Sequence, residues 1–165
     1  MRMTTLRGRR RLPALAAMLA AVLAGAAAHA QTSAELLVGR WDLVSQQRIA
    51  DGREAPAQPV SDKTRSTMVF TADGTWQLVA SAPLGSHGTY RWLGPGRIES
   101  TTIKAPVPSG NGVTRTLSVE VDDGQLKLTM TLSAEDLTKV NGPARAGAPY
   151  PQTLTVVSTL RRLRD

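Results

Sequence analysis

His87 is the only histidine downstream of residue 30, and it stands beside Gly88 at the start of a strand-like stretch. A lone imidazole can act as a general base, but acid–base chemistry also needs a placed partner, and no such partner is identified by the sequence. A solvated loop histidine is the simpler reading. The paired carboxylates, Asp51 with Glu54 and Asp122 with Asp123, fall in turn-rich stretches. A dedicated cation site converges several oxygen ligands at a recognisable spacing, whereas aspartate in a turn is explained by bonds to its own backbone. Cysteine is absent. That excludes disulfides, thiolate metal sites, a thiol nucleophile and the acylated cysteine of a bacterial lipoprotein. The expectation is a protein that is not an enzyme, with no catalytic residue, no metal and no cofactor.

What remains is the chemistry of apolar and aromatic side chains, which recognise ligands by shape and burial. Met68, Leu78, Tyr90, Leu117 and Met130 fall at positions that would point inward from strands, and Trp76 and Trp92 are large aromatics with a polar N–H of the kind that lines pockets. These seven are the candidate ligand contacts. Tyr90 could also present its hydroxyl to a ligand. Core packing is the plainer reading for each of them, since apolar strand positions are interior residues in any fold.

The elements that would position these residues are strands. Leu117, Val119 and Val121 alternate with Ser118, Glu120 and Asp122, and Leu126, Leu128, Met130 and Leu132 alternate with Lys127, Thr129 and Thr131. This period of two describes one buried and one wet face. Read in the same way, the chain has eight strands, at 39–48, 65–71, 75–80, 87–92, 97–103, 114–121, 125–132 and 153–162. Short helical turns are expected at 33–37 and 133–139, the second with Ser133 as cap and Asp136 completing an acidic capping box.

The connections alternate in length. Ala72-Asp73-Gly74, Gly94-Pro95-Gly96 and Asp122-Asp123-Gly124 are tight turns in which glycine can supply a positive φ. Between them lie the longer stretches 49–64, 81–86, 104–113 and 133–152. If strands pair in sequence order, the long connections all fall at one end of the sheet and the tight ones at the other. Eight such strands can close into an antiparallel up-and-down β-barrel whose interior holds one small ligand, with the long loops around its mouth. An eight-stranded sandwich with a filled core is the competing fold.

The stretch 37–45, with Gly39-Arg40-Trp41, resembles the Gly-x-Trp first strand of bacterial lipocalin-like domains of the calycin superfamily. The stretch 68–76 resembles their apolar strand, Asp-Gly turn and following strand, and Gly88-Thr89-Tyr90 their Gly-Thr-Tyr strand. The three stand in the family's order and cover about the first half of the domain; the second half is similar only in pattern. The resemblance implies that Trp41 plugs the closed end beside Gly39 and that a basic residue ending the last strand, Arg161 or Arg162, packs across it. Barrel geometry also brings the start of the first strand and the end of the eighth together. A guanidinium over an indole contributes about 0.5–2 kcal/mol. The resemblance further implies that the sixteen-residue loop 49–64 covers the mouth. The later segments and cysteines of longer classical lipocalins are absent, so no specific ligand carries over.

Residues 1–30 read as a secretory signal, with Arg2, Arg7, Arg9, Arg10 and Arg11 preceding an Ala/Leu-rich run and Ala28-His29-Ala30 as the cleavage site. Residues 31–165 are then the working domain, exported to the periplasm or beyond the cell and carrying no stable membrane anchor. Five of the twenty basic residues leave with the signal, and fifteen against thirteen acidic ones give a net charge of +2. Such a domain has no basic stripe for phosphate neutralisation, which excludes a nucleic-acid partner. Two functions remain. The first is binding of a small hydrophobic, lipid-like molecule inside the barrel. The alternative is a protein-interaction module, inhibitor or envelope partner, that uses the long mouth loops.

Overall fold

The computed structural model describes residues 33–61, 65–80 and 85–164, and the proposed signal at 1–30 lies outside them. A helical segment at 33–37 (α1) runs into β1, Gly39–Ala50. Two two-residue strands follow, β2 at Arg53–Glu54 and β3 at Gln58–Pro59. Then come β4 (Ser66–Phe70), β5 (Thr75–Ala80), β6 (Ser86–Gly94), β7 (Arg97–Lys104), β8 (Thr114–Val121), β9 (Gln125–Ser133), a helix α2 (Ala134–Asn141) and β10 (Thr153–Arg162).

From β4 to β10 each strand pairs antiparallel with the next, β4 returns to β1, and β10 closes the circuit on β1 from Trp41↔Arg162 to Ala50↔Leu154. The eight long strands therefore form a closed up-and-down barrel, which settles the choice between barrel and sandwich. Closure leaves no long edge to template aggregation. Strand boundaries fall within two residues of the sequence reading, because a period of two cannot be kept by any other backbone over six to nine residues.

The tight turns are hairpins at one end. In the β4–β5 turn Gly74 takes φ 81° and Asp73 accepts hydrogen bonds from the Thr71 hydroxyl and from Thr75 N at 3.2 Å. In the β8–β9 turn Asp122 Oδ1 accepts from the backbone N–H of Gly124 at 2.8 Å and of Gln125 at 2.6 Å. At the opposite end Asp51 Oδ1 accepts from Thr153 N at 2.9 Å, tying the top of β1 to β10. These carboxylates hold turns and strand ends.

Ser133 and Asp136 form the reciprocal capping box that starts α2, which runs to Asn141, two residues beyond the predicted end. The first loop departs further from expectation. β4 pairs with only the first four residues of β1, and β3 and β2 take up the free upper edge through Gln46↔Gln58 and Ile49↔Glu54. The described part of this loop thus runs along the wall beside β1.

Candidate functional site

The closed end is built around Trp41, which is fully buried with Leu37, Ile98 and Leu126. Its Nε1 donates to the Leu37 carbonyl at 2.9 Å, so the polar edge of the indole is satisfied by α1. Arg162 lies over the ring, its guanidinium carbon 4.3 Å from the centroid, and donates to the carbonyls of Val38 (3.2 Å) and Leu36. Gly39 at φ 143° runs so close that a Cβ there would sit 2.8 Å from Arg162 Nη1. Gly39, Trp41 and Arg162 are one unit. Arg161, one residue earlier in phase, pairs with Asp42 and borders a shallow pocket with Val44, Val60 and Arg65.

Above this plug the barrel encloses a cavity of about 290 Å³. Of the seven candidate contacts, Met68, Trp76, Leu78, Leu117 and Met130 line it, together with Leu43, Leu128, Val156 and Leu160. Tyr90 and Trp92 do not line it. They are the last inward positions of β6 before the Gly94-Pro95-Gly96 hairpin, which puts them at the plugged end. Tyr90 meets Phe70 edge-on with centroids 5.3 Å apart, and its hydroxyl donates to the Thr71 carbonyl at 2.8 Å. Burial pushes that hydroxyl's pKa up, and the negative charge of Asp73 adds to the effect, so Tyr90 stays a donor. Trp92 packs against the buried cluster.

Trp76 stands in the wall between cavity and core. Its Nε1 is buried without a partner among the described residues and faces the backbone of Gly88, where a Cβ would be 2.9 Å from Nε1 and 2.0 Å from the Thr101 carbonyl oxygen. Only glycine fits beneath this indole. The Gly-Thr-Tyr strand thus owes its glycine first to the Thr101 backbone on β7 and then to the Trp76 ring on β5.

The sequence reading missed the polar part of the lining: Gln46, Ser66, Ser86, Ser100, Thr102, Ser158 and Arg115. Their signal was phase, since Arg115 keeps step with Leu117 and Val119, and Ser158 with Val156 and Leu160. Gln46 Nε2 donates to Ser158 Oγ at 3.2 Å across the β1–β10 seam. Gln46 comes into phase only because β1 carries a bulge between Leu43 and Ser45, which shifts the inward set by one residue. No Asp or Glu lines the cavity, so Arg115 is its single charge.

His87 is exposed on the outer side of β6, opposite Gln77 and Lys104. Among the described residues no three His, Asp or Glu side chains gather as a metal site.

No family model matches the sequence, and no curated protein matches it. Among solved structures, a lipocalin-like protein from Bacteroides uniformis is similar over 77% of this chain and 98% of its own, at 15% identity and a TM-score of 0.45. The sequential closed circuit of eight strands, plugged by an indole under an arginine from the last strand, is the fold that the resemblance to lipocalin-like domains implies.

Proposed function

We propose that the protein is an exported binder of a small, largely apolar molecule carried inside the barrel. The observation that supports this reading is the cavity itself: about 290 Å³ within a closed barrel, with Leu, Met, Val and Trp side chains over most of its surface. A stabilising core would be filled to close packing, because each void forfeits dispersion contacts and costs stability. An apolar space of this size with a few polar groups is the usual form of a small-molecule site. The plug at the other end holds the strands in place whether or not the cavity is occupied.

The test is native against denaturing mass spectrometry on protein purified without detergent from the periplasm of its own host. The denatured mass is expected to begin at Gln31, which reads export and cleavage. The native mass is expected to exceed it by a reproducible increment that vanishes on denaturation and shrinks in Met68→Trp and Met130→Trp, which fill the cavity. No increment, together with no uptake from a lipid extract, overturns the carrier reading and turns attention to protein partners of the mouth loops.

A further inference from the structure

Arg115 is the one charged side chain in the cavity wall, and among the described residues no hydrogen bond or ion pair engages its guanidinium. Its Nε is buried and has no hydrogen-bond partner among the described residues. Among the described residues no ion pair to it is formed within 4 Å, and neighbouring lining residues such as Ser100, Leu117 and Met130 carry no negative charge. Its charge is felt by Asp136, at the start of α2. That carboxylate is already committed to Ser133, accepting from its backbone N–H at 2.9 Å and its hydroxyl at 2.7 Å. Arg115 is a lesser influence on it than either of those bonds.

A guanidinium cannot relieve its own desolvation by giving up a proton, because it stays charged throughout the accessible pH range. Leaving one in a cavity wall without an acceptor is costly, and the cost is removed by a partner that brings both negative charge and acceptor oxygens. The polar positions Ser100 and Arg115 face each other on β7 and β8. Leu117, Leu128 and Leu160 lie further toward the plug. Charge and apolar surface are thus offered to one molecule at two depths.

Resting on the reading of the barrel as a ligand carrier, we infer that its ligand is an anionic amphiphile: an apolar body inserted toward Trp41 and an oxyanion head, such as a carboxylate, held by Arg115. A neutral or cationic molecule of the same body leaves the guanidinium unpaired.

Calorimetric titration of the full chain with decanoate, decan-1-ol and decyltrimethylammonium tests this. A charge-assisted hydrogen bond to the half-buried Arg115 should make decanoate bind roughly ten-fold tighter than decan-1-ol, with the cation weakest. Arg115→Met should bring decanoate down to the level of decan-1-ol while leaving decan-1-ol within about threefold, and Arg115→Lys should keep part of the preference. Arg115→Met separates cavity binding from attraction of the anion to the protein surface, which that variant leaves largely in place. If the wild-type chain binds decanoate no tighter than decan-1-ol, the inference is overturned and the apolar-ligand reading stands; this comparison needs no variant to fold. A decanoate preference that survives in folded Arg115→Met also overturns it. If none of the three binds, both readings fail.

Discussion

Gly39→Ala should damage the barrel more than an ordinary glycine substitution, and it should do so through Arg162. The backbone at Gly39 has φ 143°, a conformation that a side chain strains by about 1–3 kcal/mol. The new Cβ would also lie 2.8 Å from Arg162 Nη1, so the guanidinium must move. Moving it weakens the contact with Trp41, of order 0.5–2 kcal/mol, and the bonds to the Leu36 and Val38 carbonyls, about 1–3 kcal/mol if these are left unpaired. The expected cost of Gly39→Ala is then about 3–5 kcal/mol, and that of Arg162→Met about 2–4 kcal/mol. Because the two share the Arg162 contacts, the double variant should lose at least about 1 kcal/mol less than their sum. Urea unfolding of the four proteins, followed by Trp fluorescence, reads the cycle. Additivity within about 0.5 kcal/mol would show that Gly39 and Arg162 act independently, and would refute the account of why glycine stands two residues before the tryptophan.

Tyr90→Phe keeps the edge-on contact with Phe70 but removes the bond to the Thr71 carbonyl; it should cost about 0.5–1.5 kcal/mol in urea unfolding, with ligand increment unchanged in native mass spectrometry. A lost increment would place Tyr90 in the binding site. The carboxyls of Asp73 and Asp122 are held below the usual aspartate range, Asp73 chiefly by the Thr71 and Thr75 side chains and Asp122 by the Gly124 and Gln125 backbone N–H groups. A lowered folded-state pKa gives stability that is present above the unfolded value and lost as pH falls through the folded one. The urea midpoint should therefore decline as pH drops below about 4, and less steeply in Asp73→Asn/Asp122→Asn. Equal slopes would show that these turn bonds contribute nothing to acid stability.

What was legible in the sequence followed from local rules. Alternation located the strands, and glycine-containing tight turns ordered them, since both signals are written within a few residues of where they act. The bulge after Leu43 was not legible: it depends on how β1 meets β10, more than a hundred residues away, and it changes which of Val44, Ser45 and Gln46 faces inward. The sequence reading offers Tyr90 to the ligand for its inward position and Trp92 for its residue type. Counting inward positions back from the Gly94-Pro95-Gly96 hairpin would have placed them at the plug. Arg115 was passed over for the opposite reason, because a charged residue in phase with leucines reads as an interruption of the pattern and is instead its most informative member.

The two ends of the barrel answer to different physical demands. At the plugged end the indole N–H of Trp41, both guanidinium ends of Arg162 and the hydroxyl of Tyr90 each meet a backbone carbonyl, and only Arg162 Nε lacks an acceptor among the described residues. That is the behaviour of groups whose work is to fix one structure. Toward the mouth, Arg115 keeps a buried nitrogen without an acceptor in the midst of an unfilled cavity. A protein selected for stability alone would fill that space, since each void costs stability, and would give a half-buried arginine a partner or an apolar replacement. The persistence of both in one place is what a missing ligand with an anionic head would explain, and neither feature alone would require it.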